Sequence, residues 1–151
     1  EAANERGAEQ VAFYINTNLG GELRPLARVA SGGEVSRIML AIKEAIAERD
    51  LISVLVFDEV DSGVSGRIAA AVGRKLQALA ESHQTIVITH LPQSASLADR
   101  HFAVRKDKDR TRTTTHVQQL DKEGRTEEIA YLLAGETVSE TARRHARELI
   151  Q

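Results

Sequence analysis

The chain has 151 residues, enough for one domain with a modest hydrophobic core. Its hydrophobic fraction of 42% and charged fraction of 28% are ordinary for a globular protein. The net charge of −2 gives no overall reason to expect nucleic-acid binding, and the lack of cysteine excludes disulfides and cysteine-based zinc sites. No apolar run approaches the roughly 18 residues of a membrane span, so composition predicts a cytoplasmic globular domain without a membrane segment.

The first third of the chain predicts a lead-in, a strand, a loop and a helix. Residues 1–10 are polar, and the alternating stretch Val11–Thr17 is typical of a strand. A segment rich in glycine and polar residues then predicts a loop as far as Gly33. From Val35 onwards, apolar residues recur with the spacing of a helix.

The middle of the chain predicts a βαβ unit. Leu51–Phe57 is a short apolar run rich in β-branched residues, a helix is predicted over residues 67–82, and Thr85–Thr89 is a second buried strand. This order implies parallel strands, whose ligands usually lie beyond the carboxyl ends of the strands. The polar side chains that fall there are Asp58, Glu59 and His90.

The last third of the chain predicts a β-hairpin and two helices. Residues 101–106 and 111–120 form the hairpin, and the helices span residues 126–133 and 138–150. We interpret Arg105–Arg112 as a solvated hairpin tip, because its acidic residues dilute the positive charge. DNA contact at this tip is the less favoured alternative.

The segment SGGE, Ser31 to Glu34, has two compatible interpretations. Ser31 as N-cap, with Glu34 three residues later, forms a capping box at the start of a helix. The same geometry exposes backbone N–H groups of Gly32 and Gly33 at a helix N-terminus, where the helix dipole favours an anion. The pattern therefore predicts a helix start and leaves phosphate binding open.

The polar residues after the two central strands also have structural and functional interpretations. Asp58 and Glu59 could simply end a buried strand, or Asp58 could orient Mg²⁺ while Glu59 polarises an attacking water. His90 could be a partly buried histidine bonded to backbone, or its neutral imidazole could bind a γ-phosphate. Asp61 could form an Asx turn with Ser62, or it could reach across a dimer interface.

An ATP site built on these carboxylates would lack its phosphate-binding half. A phosphate-binding loop has the form G-x-x-x-x-G-K-[ST], and none of the five lysines of this chain follows a glycine. The sequence therefore predicts either a decoy site or one part of a larger machine.

Three segments decide between these possibilities by resemblance: SGGEVSRIMLAIK, VLVFDEVDSGVSG and THLPQSASLADRHFAV. In this order they resemble the signature motif, the Walker B strand with its D-loop, and the switch histidine of an ABC-type ATPase head. Among such heads the chain resembles the RecN family, SMC-like bacterial proteins of recombinational double-strand-break repair, over roughly residues 10 to 150.

The resemblance implies a fold and a domain organisation. Residues 11–151 would be the C-terminal lobe of an α/β head, with a largely parallel sheet flanked by helices, a β-hairpin and C-terminal helices. Walker A would lie in an absent N-terminal lobe, beyond a long coiled coil whose returning arm leads into residues 1–10.

The resemblance also implies a role for each candidate residue. Asp58 would bind Mg²⁺, Glu59 would be the catalytic base, and His90 would contact the γ-phosphate of ATP. Asp61 would couple two sites across a dimer interface. The residues that would bind the ATP held by a second head are Ser31, Gly32, Gly33 and Glu34.

The implied function is that of a DNA-repair ATPase, active only when a Walker A lobe completes it and two heads enclose ATP. Its expected partners are the N-terminal half, a second head, and double-stranded DNA or DNA ends in the nucleoid. One alternative is a nucleotide-gated clamp with little catalysis, against which the intact Glu59 argues. The other is a transporter's nucleotide-binding domain, against which the residues around Glu34 and Asp61 argue.

Overall fold

The computed structural model describes residue 7 and residues 12–16, 20–26, 31–108 and 112–150. It confirms a mixed α/β fold. Within these ranges, no helix combines the length and the apolar character needed to cross a membrane. The described elements are β1 (Tyr14–Ile15), β2 (Arg24–Pro25), α1 (Gly32–Ile46), β3 (Val54–Asp58), α2 (Gly66–Leu79), β4 (Gln84–Ile88), α3 (Pro92–Ala95), β5 (Phe102–Lys108), β6 (Thr113–Gln119), α4 (Lys122–Ala134) and α5 (Glu140–Ile150).

The central feature is the predicted βαβ unit, formed by β3, α2 and β4. The two strands pair in parallel, with Val54 opposite Gln84 and Asp58 opposite Ile88. The other described pairs, β1 with β2 and β5 with β6, are antiparallel. In the part of the chain that is described, the parallel ladder is therefore limited to two strands.

The first hydrophobic core lies between one face of this ladder and helices α1 and α2. Alternate residues of β3 point into it, so that Leu55 and Phe57 are buried while their neighbours in the strand are exposed. Each fully buried aliphatic or aromatic side chain contributes about 1.5–3 kcal/mol. The other buried members of this core are Leu40, Val60, Val72, Leu76 and Leu79.

The opposite face of the ladder is apolar and exposed. It consists of Val54, Val56, Ile86 and Ile88, and we call it the open ladder face. Val56 at its centre is 62% exposed. Parallel strands are normally covered on both faces, so the open ladder face is a surface that another element would be expected to cover.

A polar cluster lies at the end of β3 remote from the predicted site. The Nζ atom of Lys43 is 2.6 Å from Oδ2 of Asp50, and the same oxygen is 3.9 Å from Nε2 of the buried His83. Asp50 also accepts a hydrogen bond from the Ile52 N–H at 3.1 Å. The hydrogen bond from Lys43 is the main reason that the pKa of Asp50 lies below its ordinary value.

The second core joins α3, α4 and α5 around four buried residues: Ala95, Ile129, Ala130 and Ala146. The hairpin is attached to it by Arg105, which forms a bidentate ion pair with the buried Glu128 and lies 5.4 Å from the ring centroid of Tyr131. His101 lies at the same junction with its Nδ1 buried. This burial lowers the pKa of His101, and the nearby Glu128 opposes that effect.

The structure corrects several predicted boundaries. The loop predicted before Gly33 contains the two-residue strand β2. The strand predicted from Leu51 begins at Val54, and the Ile52 N–H donates to the Asp50 side chain and not to a neighbouring strand. Helix α4 begins at Lys122 and not at residue 126, because the Asp121 side chain accepts from the Gly124 N–H at 2.8 Å and caps the helix.

Other predicted elements agree with the structure only in part or lie outside the described residues. The strand predicted at Val11–Thr17 is present as Tyr14–Ile15, and residues 11 and 17 lie outside the described ranges. The lead-in over residues 1–10 lies outside them except for Gly7, as do residues 109–111 at the hairpin tip. The short helix α3 was not predicted, since its four residues carry no periodicity to detect.

Candidate functional site at the ends of the parallel strands

The ladder brings three predicted site residues to one edge of the molecule. Asp58 ends β3 directly opposite Ile88, the last residue of β4. Glu59 follows Asp58, and His90 lies two residues beyond Ile88. All three side chains are exposed, so this edge is open to a ligand. The convergence expected of parallel strands is present, and the chemical roles of the three residues stay predictions.

Glu59 adopts an unusual backbone conformation. Its φ of 54° is in the left-handed region, which a side chain other than glycine adopts at a cost of about 1–3 kcal/mol. Its carbonyl accepts from the Ser62 N–H at 2.9 Å, which closes a tight turn directly after the strand. The turn places the start of α1 against Glu59, where a Cβ atom on Gly32 would lie 3.1 Å from Oε2.

The capping box predicted for α1 is confirmed. The Ser31 hydroxyl accepts from the Glu34 N–H at 3.3 Å, and the Glu34 carboxylate accepts from the Ser31 N–H at 2.9 Å. The Glu34 side chain therefore stabilises the helix start in this structure. Ser31 and Gly32 are exposed, so the same helix end is accessible from outside.

Gly33, by contrast, is buried against the turn after β3. A Cβ atom at this position would lie 2.9 Å from the Glu59 carbonyl oxygen and 3.2 Å from the Ser62 carbonyl oxygen. Only glycine permits so close an approach without a shift of one segment. The second glycine of the SGGE segment thus has a structural role within the chain.

Two further residues of α1, which sequence analysis did not single out, bind the same turn. The Ser36 hydroxyl donates to the Asp58 carbonyl at 2.7 Å. The Nη1 atom of Arg37 donates to the carbonyls of Val60 and Ser62 at 3.2 and 2.9 Å. These three bonds hold the first turns of α1 against residues 58–62, the last residue of β3 and the turn that follows it.

The structure places Asp61 inside the molecule, with 1% of its surface exposed. Its Oδ2 accepts a hydrogen bond from the Thr89 hydroxyl, and its Oδ1 is buried without a hydrogen-bond partner among the described residues. The side chain is therefore buried within the chain, and its expected part in coupling two sites across a dimer interface stays a prediction. Thr89, another residue that sequence analysis missed, is its partner within the chain.

The described residues contain no cluster of three or more histidine, aspartate or glutamate side chains arranged to hold a metal ion. Mg²⁺ rarely needs such a cluster, because it commonly binds through one or two carboxylates together with waters and substrate phosphates. The exposed carboxylate of Asp58 at the strand end fits that kind of coordination.

Sequence comparison finds relatives across almost the whole chain. It is similar to the DNA repair protein RecN of Halalkalibacterium halodurans, with 44% identity over 146 residues, which are 97% of this chain and 26% of that protein. RecN of Bacillus subtilis is also 44% identical, over 147 residues, with the same coverage. RecN of Deinococcus radiodurans is 47% identical over 144 residues, which are 95% of this chain and 25% of that protein.

The chain thus spans about a quarter of the length of these curated relatives. No protein-family model matches it. In structure it is similar to a solved chain from a study of ATP-driven dimerization and DNA stimulated activation of SMC ATPases. The TM-score is 0.54 at 21% identity, with 78% of this chain and 70% of that chain covered.

At 21% identity, the structural likeness is evidence for the fold alone. The sequence identity of 44–47% to several RecN proteins is evidence for the family. The two findings agree with each other and with the order of the three motifs. The fold is therefore that of a lobe of an SMC-type ATPase head, and across the segment shared with its relatives the chain belongs to the RecN family.

Proposed function

We propose that residues 11–151 are the C-terminal lobe of an ATP-binding and ATP-hydrolysing head that acts in the repair of DNA double-strand breaks. The observation that carries the proposal is the shared edge at which Asp58, Glu59 and His90 lie exposed. The relatives of this chain are DNA repair proteins, and two carboxylates and an imidazole at one edge are groups suited to ATP hydrolysis.

Each of the three residues has a task suited to its position. Asp58 would hold Mg²⁺, which when bound neutralises charge on the phosphates. Glu59 follows on the turn and would orient the attacking water and accept its proton. His90, from the neighbouring strand end, would donate a hydrogen bond to the γ-phosphate. The carboxylate of Glu59 lies near the start of α1, since a Cβ atom on Gly32 would be 3.1 Å from its Oε2.

A Walker A lobe would complete this site. The chain has no phosphate-binding loop, and the open ladder face leaves one side of the parallel strands without a cover. We propose that the N-terminal segment carrying Walker A packs on this face, because parallel strands are normally covered on both sides. Burial of Val56 and its neighbours would supply the hydrophobic free energy for that association.

A second head would supply the remaining contacts to ATP. The exposed Ser31 and Gly32 at the start of α1 would bind the γ-phosphate held by the other head, using backbone N–H groups and the helix dipole. Hydrolysis would then require two heads with two nucleotides between them. We further propose that the complete protein acts on double-stranded DNA or DNA ends in the cytoplasm, in association with the nucleoid.

The test is ATP hydrolysis by this chain co-expressed with the N-terminal segment that carries Walker A. Rates are measured with Mg²⁺ over a range of protein concentrations, for the unchanged protein and for Glu59→Gln. Glu81→Gln, at an exposed site beyond the end of α2, is the matched control. We expect activity that rises faster than linearly with concentration, disappears in Glu59→Gln and survives in Glu81→Gln.

The Glu59→Gln variant should also accumulate ATP-bound dimers, because it keeps the shape of the side chain and loses the base. Activity that is absent throughout, or that ignores Glu59, would overturn the proposal. A nucleotide-gated clamp with little catalysis would then be the favoured function, and ATP-dependent dimerisation without turnover would support it.

A further inference from the structure

We propose that Thr89 is a positioning residue for His90, acting through its hydrogen bond to Asp61. The inference rests on the proposed function and goes beyond it, because it names the groups that fix the switch histidine in place. Thr89 immediately precedes His90, and its hydroxyl bonds both to Asp61 and to the N–H of Leu91, the residue that follows His90.

The Thr89 hydroxyl has two hydrogen-bond partners. It donates to Oδ2 of Asp61 and accepts from the Leu91 N–H at 2.9 Å. A hydroxyl has one proton to donate and lone pairs to accept, so both bonds form together. The residues before and after His90 are therefore tied to one oxygen atom, and the backbone at His90 has little freedom to rotate.

The Asp61 carboxylate is buried. A buried carboxylate is costly unless hydrogen bonds compensate its lost hydration. Among the described residues the Thr89 hydroxyl is the donor to this carboxylate, and Oδ1 has no partner there. Loss of the hydroxyl would leave both oxygens uncompensated, so the turn containing Asp61 and the end of β4 would separate or admit water.

Helix α1 is bonded to the backbone on both sides of Asp61. Arg37 donates to the carbonyls of Val60 and Ser62, the residues on either side of Asp61. The backbone around Asp61 is thus held by α1, and the Asp61 side chain is held by Thr89, directly after the end of β4. A shift of α1, whose exposed start would contact the nucleotide of a second head, would move Asp61 and, through Thr89, the backbone at His90.

The experiment uses the complete protein, including its Walker A segment, and measures kcat and KM for ATP. Thr89→Val removes the hydroxyl at nearly constant shape, Thr89→Ser keeps it, and Thr85→Val makes the same change at the other end of β4. Hydrogen bonds to charged groups are strong enough that we expect kcat to fall about tenfold or more in Thr89→Val. KM should change by less than about twofold, and both control variants should retain normal kcat.

A double-mutant cycle with His90→Ala separates positioning from a general structural effect. If Thr89 acts through His90, Thr89→Val should lower kcat far less in the His90→Ala background than in the unchanged protein. Equal losses in both backgrounds would overturn the inference. So would a Thr89→Val variant with normal kcat.

Failure of this inference is distinguishable from failure of the proposed function. If Glu59→Gln retains turnover in the same assay, the proposed function fails. If Glu59→Gln is inactive while Thr89→Val is normal, only the inference fails. Should Thr89→Val not fold, Thr89→Ala takes its place, since it also removes the hydroxyl. An unchanged kcat in Thr89→Ala would then overturn the inference.

Discussion

The contact between α1 and the turn after β3 supports a quantitative prediction for Gly33→Ala. The added methyl group would lie 2.9 Å from the Glu59 carbonyl oxygen, 3.1 Å from Nη1 of Arg37 and 3.2 Å from the Ser62 carbonyl oxygen. Two of these three atoms belong to the backbone and cannot rotate away. The helix and the turn must therefore move apart by a few tenths of an ångström, which also strains the bonds made by Arg37.

The magnitude follows from two opposing effects. Overpacking of a tight contact costs about 1–3 kcal/mol, and the better helix propensity of alanine recovers at most about 1 kcal/mol. Because Gly33 is only the second residue of α1, we expect that recovery to be incomplete. The net loss of stability is about 1–2 kcal/mol, which for a chain of this size lowers Tm by about 2–8 °C.

Thermal unfolding followed by circular dichroism measures this loss, with Gly32→Ala as the matched control. The methyl group in Gly32→Ala would meet only Oε2 of Glu59 at 3.1 Å, the far end of a flexible exposed side chain that can turn aside. Gly32→Ala should therefore be at least as stable as the unchanged chain. A Gly33→Ala chain as stable as Gly32→Ala would refute the assignment of Gly33 to close packing against the turn.

Three further predictions concern stability and pH. Ile129→Ala should lower the free energy of unfolding by about 2–5 kcal/mol, because Ile129 is fully buried. Urea unfolding measures this loss. The control Ile68→Ala, at a half-exposed site, should lose far less free energy of unfolding. Because the pKa of Asp50 is lowered in the folded chain, its ionised carboxylate stabilises the fold at pH values above 3.8, the ordinary pKa of this group. This contribution is lost as pH falls through the lowered pKa. Asp50→Asn should therefore differ most from the unchanged chain at neutral pH, and the difference in Tm should shrink in acid. Burial lowers the pKa of His101 in the folded chain. As pH falls below 6.5, the unfolded chain therefore binds a proton before the folded chain does, and the stability of the fold declines. His101→Gln should lose less stability than the unchanged chain between about pH 7 and pH 5.

The parts of the site that sequence predicts are those set by strand direction. Asp58, Glu59 and His90 each follow an apolar run, and parallel pairing alone brings such residues to one edge. The capping box of α1 was also predictable, because it depends on Ser31 and Glu34 within one turn of a helix.

The parts that sequence does not predict depend on contacts between distant segments. Ser36 and Asp58 are 22 residues apart, and Asp61 and Thr89 are 28 apart, so nothing local marks these hydrogen bonds. A buried aspartate beside a strand end is especially hard to foresee, because aspartate is usually exposed. The early start of α4 had a local signal in Asp121, but Gly124 in the first turn weakened the helix pattern.

The bonds that fasten α1 to the turn have a consequence for how this segment tolerates mutation. All three acceptors, at Asp58, Val60 and Ser62, are main-chain carbonyl oxygens, which every amino acid provides. Exchanges of side chains in the turn therefore leave the acceptors in place, whereas loss of Ser36 or Arg37 removes the donors. Sequence drift at the partly exposed Ser62 can alter what the turn presents to a partner without detaching it from the helix, so the constraint on this attachment falls on two residues of α1.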